Sequence, residues 1–78
     1  MARPIYIIVE DNQEGRVKWF DPNKGFGFID GGKDQADVFL HSNHILGDFL
    51  PIKGDRISYK LATDQKRKRN YAVEASIL

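Results

Sequence analysis

Aromatic side chains on two short segments are the residues whose types and spacing point most directly to a chemistry. The segments read KGFGFI and VFLH, and they carry Phe26 and Phe28, then Phe39 and His41. Because alternate side chains of an extended strand point to opposite faces, Phe26 and Phe28 share a face, as do Phe39 and His41. Paired strands of this kind would present an aromatic surface on which unpaired nucleobases can stack.

The other face of the same two segments is aliphatic and small. Ile29, Val38 and Leu40 alternate with the aromatic residues and would fill a core. Gly25 and Gly27 share the Ile29 face, where another stretch of backbone can approach closely. Most phenylalanines lie in protein cores, but that arrangement here would turn the aliphatic residues toward water. The pattern therefore favours an exposed aromatic face.

Basic residues flank the aromatic segments. Lys18 and Lys24 are expected to contact phosphates, which positions a strand without reading its sequence, and Arg16 shares the Lys18 face. The densest charge is the run KRKR at 66–69. It either extends the phosphate path or forms a solvated hairpin tip.

The residues indicate no catalytic or metal centre. His41 can stack on a base or donate a hydrogen bond to it. His41 and His44 are close in sequence, but two histidines without other ligands rarely hold a metal. No serine–histidine–acid set can be assembled, and the Gly25-x-Gly27 spacing fits neither a Walker loop nor a dinucleotide fingerprint. We expect no enzymatic activity, cofactor or metal.

The length and composition limit the class of protein. The chain has 78 residues, no cysteine and a net charge of +1. This length predicts a single domain near the small end for independent folding. No apolar run approaches the roughly 20 residues that span a bilayer, and no signal peptide is recognisable. The expected location is cytoplasmic, without a membrane partner.

Turn-forming residues at close spacing divide the chain into short β-rich runs, which is typical of an all-β sandwich or barrel. A helical turn is expected near 43–46. In the last predicted strand, the residues expected to face inward are Tyr71, Val73, Ala75 and Ile77. The predicted strands are 15–21, 24–30, 37–41, 54–62 and 70–78. Five strands with a longer link after the third predict an antiparallel Greek-key OB-fold barrel.

Three sequence blocks make the comparison more specific. GRVKWF from Gly15, KGFGFI from Lys24 and DVFLH from Asp37 resemble the cold-shock domain of bacterial cold-shock proteins and Y-box proteins in order and spacing. The resemblance covers about 15–78. It implies a single-stranded nucleic-acid-binding barrel with RNA-chaperone or transcription and translation regulatory activity. Ser42 departs from the family, where an aromatic residue often follows the histidine, and this predicts weaker binding or a changed base preference.

The resemblance also adds aromatic positions to the binding face. Parity from a buried Val17 would point Trp19 inward and Phe20 outward, whereas the family places both on the binding surface. Phe49 matches a loop aromatic that stacks on a base in the family. The predicted nucleic-acid-binding residues are Lys18, Trp19, Phe20, Lys24, Phe26, Phe28, Phe39, His41 and Phe49.

The N-terminal segment has no family counterpart. We divide the chain into an extension, 1–14, and a cold-shock-like domain, 15–78. The stretch from Pro4 to Val9 predicts an additional strand that pairs with an edge of its own barrel or of a second copy, so the protein is expected to be a monomer or a homodimer through 4–10. The alternative is a disordered or expression-derived arm.

Single-stranded RNA or DNA is the expected partner. Two other functions stay open, since OB-like barrels host several. One is a protein-interaction module that uses the aromatic patch for docking, and the other is an oligosaccharide-binding barrel.

Overall fold

The computed structural model describes residues 6–33, 35–64, 66 and 69–78. Its strands close into a barrel in the order β1-β2-β3-β5-β4. They are β1 (Tyr6–Asp21), β2 (Phe26–Ile29), β3 (Val38–His41), β4 (Arg56–Asp64) and β5 (Asn70–Ile77), with a 3-10 helix at Ser42–His44. The predicted all-β, five-stranded barrel is confirmed. No helix among these described residues is long and apolar enough to cross a membrane.

One strand pair of the barrel differs from the antiparallel expectation. The pairs β1–β2, β2–β3, β4–β5 and β1–β4 are antiparallel, but β3 and β5 pair in parallel, with Phe39 opposite Tyr71. Beyond β3, the parallel arrangement with β5 continues, because Ile45 forms a parallel bridge with Ala75. A parallel pair needs a long crossover, and residues 42–69, which include β4, form the connection between β3 and β5.

The N-terminal segment does not form a separate strand. It is the beginning of β1, which runs from Tyr6 to Asp21 and pairs along β4 from Asp64 to Arg56. Two register shifts interrupt this ladder, and Asn12 takes a left-handed φ of 55° that asparagine tolerates. Strand β1 therefore continues without a break from residues 6–14 of the extension into the predicted first strand, 15–21. Pro4 and Ile5 lie outside the described residues.

The core lies inside the barrel and contains the aliphatic residues expected there. Ile29 and Leu40 are fully buried, and Val38 is 8% exposed. Around them pack Val17, Ile57, Tyr59, Ala72 and Ala75. The sequence therefore assigned the inward faces of β2 and β3 correctly.

The inward face of β5 was predicted wrongly at Tyr71. Ala72, Val73 and Ala75 are buried, whereas Tyr71 is half-buried and its ring meets those of Tyr6 and His44 outside the core. The β4–β5 register shifts beside Glu74, which has a φ of 48°. A bulge changes which alternate residues of a strand face inward. Tyr71, which precedes the bulge, therefore does not share the inward face of Ala75, which follows it.

Candidate nucleic-acid interface

A bulge in β1 places Trp19 on the outer face. Val17 pairs with Ile29, and the next paired residue is Trp19, opposite Phe28, so Lys18 is the inserted residue. The insertion reverses the parity that would send Trp19 inward after a buried Val17. Trp19 is 40% exposed, as the family resemblance implied and the simple strand pattern did not.

The same bulge turns Phe20 away from this face, contrary to its predicted place among the binding residues. Phe20 pairs with the buried Gly27 and packs against the core. A Cβ on Gly27 would lie 2.6 Å from the Cα of Phe20 and would also clash with the Trp19 carbonyl oxygen. Because residue 27 is glycine, β1 and β2 can approach closely at the point where the bulge directs Trp19 outward and Phe20 toward the core.

The aromatic platform consists of Trp19, Phe26, Phe28, Phe39 and His41. Trp19 lies 5.7 Å from Phe26 and 5.4 Å from Phe28, measured between ring centroids. Phe39 lies 5.6 Å from both phenylalanines and 6.3 Å from His41. The rings are tilted or edge-to-face, the geometries that aromatic pairs prefer. All are at least partly exposed, so their free faces and edges are accessible.

Cross-strand pairing explains why these rings meet. Phe26 lies directly opposite His41, and Phe28 lies opposite Phe39, on one face of the β2–β3 ladder. The turn into β2 is held by Asp21, whose Oδ1 accepts hydrogen bonds from the backbone N–H groups of Asn23 and Lys24. The hydrogen-bonded ladder of β2 and β3 therefore positions four of the five platform rings.

His41 has one ring nitrogen committed to the fold. Its Nδ1 accepts a hydrogen bond from the Asn43 backbone N–H, at 3.0 Å, at the start of the 3-10 helix. The proton of the neutral ring is therefore on Nε2. That N–H is a hydrogen-bond donor at the edge of the platform.

The predicted phosphate-binding cations have different surroundings. Lys18 forms an ion pair with Asp37 at 2.8 Å, which raises the pKa of Lys18 and lowers that of Asp37 mainly through the shared hydrogen bond. Arg16 donates to the carbonyl oxygen of Gly54. Lys24 is exposed beside the turn that leads into Phe26. A phosphate at Lys18 would have to compete with Asp37.

Arg69 contributes to the platform more directly than the sequence indicated. Its guanidinium carbon lies 5.7 Å from the centroid of the Phe39 ring, within the range of a cation–π contact. Arg67 and Lys68 of the basic run lie outside the described residues, and Lys66 is exposed. Charge density pointed to this run as a whole, and the fold places the Arg69 guanidinium beside the Phe39 ring.

Phe49 is not brought to the platform. It is 81% exposed on the connection between the 3-10 helix and β4. A shallow surface there is lined by Phe49, Leu46 and the β5 residues Ser76 and Ile77. Among the described residues, the ring contacts of the platform do not include Phe49. The family-based expectation for this position stays a prediction.

The histidines do not form part of a metal-ligand group. Within the described part of the chain, no three or more histidine, aspartate or glutamate side chains are grouped to hold an ion. The Nδ1 atom of His41 is already a hydrogen-bond acceptor.

Comparison with known proteins identifies related sequences. The family model described as the "cold-shock" DNA-binding domain matches residues 13–76. Calcium-regulated heat-stable protein 1 of Homo sapiens is 35% identical over 65 residues, which cover 82% of this chain and 44% of that protein. A probable cold shock protein of Sinorhizobium fredii is 44% identical over 54 residues, covering 67% of this chain and 78% of that protein. The chain thus spans less than half the length of the first of these relatives.

A solved structure supports the same architecture. The structure of drosophila Unr superposes with a TM-score of 0.69 at 22% sequence identity, and the match covers 90% of this chain and 28% of that chain. At this identity the likeness concerns the fold alone.

Proposed function

The chain belongs to the cold-shock domain family, and from that premise we propose that it binds single-stranded RNA or DNA on the aromatic platform. The observation that carries the proposal is the outward grouping of Trp19, Phe26, Phe28 and Phe39, with neighbouring centroids less than 6 Å apart. Proteins of this family bind nucleic acids and are not typically enzymes, and we propose no catalytic step.

Binding proceeds by stacking of unpaired bases on these rings. Each base–aromatic contact contributes about 1–3 kcal/mol, and every base has a face that can stack, so the base preference is broad. His41 Nε2 donates a hydrogen bond to a base or sugar. Arg69 and Lys24 neutralise phosphates, and Lys18 joins them by exchanging Asp37 for phosphate.

We extend the proposal to an RNA-chaperone activity without ATP. A protein that binds open strands and not helices shifts the folding equilibrium of an RNA toward open forms by mass action. Regulation of transcription or translation would follow from the same preference.

The first test is a titration with a short oligothymidine, followed by the fluorescence of Trp19, the only tryptophan of the chain. Trp19 is 40% exposed and contacts two platform rings, so a stacked base should quench it. Quenching that weakens with salt and is absent with a duplex is the expected result.

A pair of alanine variants separates the platform from other exposed apolar side chains. Phe28→Ala should weaken binding of a labelled strand, measured by anisotropy, by about 5-fold to 150-fold, the equivalent of one base stack. Ile52→Ala removes an exposed apolar side chain outside the platform and should leave binding within about 2-fold. Equal losses in both variants would contradict the platform as the binding surface.

The two alternative functions give different results. A protein-interaction module would show no binding to the strand, while its partner interaction would respond weakly to salt. An oligosaccharide-binding barrel would show no salt dependence linked to phosphates. Absence of strand binding in both fluorescence and anisotropy would overturn the proposed function.

A further inference from the structure

A second group of rings lies beside the platform. Tyr71 and His44 have centroids 5.5 Å apart, and Tyr6 meets both edge-on, at 5.8 Å from Tyr71 and 6.0 Å from His44. Between this group and Phe39 and His41 lies a depression of about 280 Å³. We call this depression the side pocket.

We propose that the side pocket binds one nucleobase of the same strand that stacks on the platform. This inference rests on the proposed function and adds a subsite that the platform residues do not supply. The parallel pairing of Phe39 with Tyr71 places the two ring groups on neighbouring strands. A nucleic-acid strand that extends from Phe39 toward β5 therefore reaches Tyr71 and His44 next.

The lining of the side pocket suits a nucleobase. Phe39, His44 and Tyr71 supply aromatic walls on which a base can stack. Arg69 also lines the pocket, above the Phe39 ring. Its guanidinium is placed to hold the phosphate between the base on Phe39 and the base in the pocket.

The His44 and Tyr71 rings of the side pocket are held by the fold and favour their uncharged forms at neutral pH. Tyr6 comes from the N-terminal part of β1 and packs its ring edge-on against His44 and Tyr71, so it acts as a positioning residue. Burial, with the charge of His41, lowers the pKa of His44. Burial, with the charges of Asp64 and Tyr6, raises the pKa of the Tyr71 phenol. Neutral rings present π-faces without drawing a counter-ion.

The decisive experiment varies the length of the strand. Oligothymidines of about 4 to about 16 nucleotides span the site sizes of OB folds. If the side pocket takes one base, Tyr71→Ala and wild type should bind the shortest strands equally. Strands long enough to reach the pocket should bind the variant about 5-fold to 150-fold more weakly, the loss expected for one stacked base. Tyr71→Phe keeps the ring and should follow the wild-type curve.

Two controls make the outcomes distinct. Phe28→Ala should weaken strands of every length, because it removes a platform ring. Ile52→Ala removes an exposed apolar side chain outside the pocket lining and should change no length. If wild type binds strands but Tyr71→Ala matches it at all lengths, the side pocket is not a subsite and the platform stands. If wild type binds no strand, the proposed function and the subsite fail together.

A measurement on the wild-type protein covers the case in which Tyr71→Ala does not fold. The ring-proton resonances of His41 and His44 report on the platform edge and the side pocket respectively. Short strands should shift His41 alone, and longer strands should shift both. A His44 signal that stays unmoved at every length would overturn the subsite.

Discussion

At the scale of single residues, the protonation of His44 should make the stability of the fold depend on pH. Burial, followed by the charge of His41, holds its pKa below the ordinary histidine value of about 6.5. Because the folded state binds this proton less readily than the unfolded chain, the neutral form stabilises the fold. That stability is complete above about pH 6.5 and is lost as the pH falls through the folded-state pKa.

His44→Gln should therefore flatten the loss of stability below neutral pH. The comparison is the melting temperature at about pH 7.5 and about pH 5.5, in wild type and variant. His41, Asp64 and Tyr71 surround the site in both proteins, so their contributions largely cancel in the difference. A variant that loses as much stability on acidification as wild type would contradict the burial of a neutral His44.

Trp19 and Phe20 show what the sequence could predict about the site and what it could not. The alternation in β2 and β3 was sufficient to place Phe26, Phe28 and Phe39 on one face, since those strands are regular. In β1 one inserted residue, Lys18, reverses the alternation. No residue type marks that bulge in the sequence. The family resemblance corrected the position of Trp19, but it also placed Phe20 outside, where this structure does not have it.

At the scale of elements, the N-terminal half of β1 should contribute to stability. Its ladder places Tyr6 opposite Asp64 and Ile8 opposite the fully buried Ala62. We expect deletion of residues 1–12 to lower the free energy of unfolding by about 1–3 kcal/mol, as each lost ladder hydrogen bond contributes about 0.5–1.5 kcal/mol. Urea denaturation measures the change, and deletion of residues 1–5 alone is the matched control.

The same deletion tests association between copies. Ile7 is 50% exposed and Val9 is 54% exposed, so this strand retains apolar surface after pairing with β4. If a second copy covers it, the molar mass in light scattering should fall from a dimer to a monomer on deletion. Lower stability at constant mass would assign the segment to its own barrel. Unchanged stability and unchanged mass would contradict both forms of pairing.

Local irregularities also limited prediction of the elements. The five-stranded barrel followed from turn spacing and the position of the long link. The start of β1, the parallel β3–β5 pair and the face of Tyr71 did not, because they depend on bulges at Asn12 and Glu74 and on contacts distant in sequence. Tyr6, His44 and Tyr71 meet only after the barrel closes, so no spacing along the chain predicts the side pocket.

At the scale of the whole molecule, charge is nearly balanced, with 12 lysines and arginines against 11 acidic residues. Several cations are already paired: Lys18 with Asp37, Arg56 with Glu14 and Lys60 with Glu74. We therefore expect the proposed strand binding to depend on stacking more than on charge. In the proposed complex, we expect Arg69, Lys24 and an exchanged Lys18 to make the main phosphate contacts.

This balance predicts a shallow salt dependence. Three phosphate contacts at about −0.7 each give a slope of about −2 for log K against log salt, or roughly a 20-fold loss of affinity between about 50 mM and about 200 mM salt. Arg69→Gln should reduce the slope to about −1.4, because it removes one contact. Ile52→Ala is again the neutral control. A wild-type slope near −4 would mean that the basic residues at 66–68 also reach phosphates, and a slope near zero would mean that none of these cations contacts the strand.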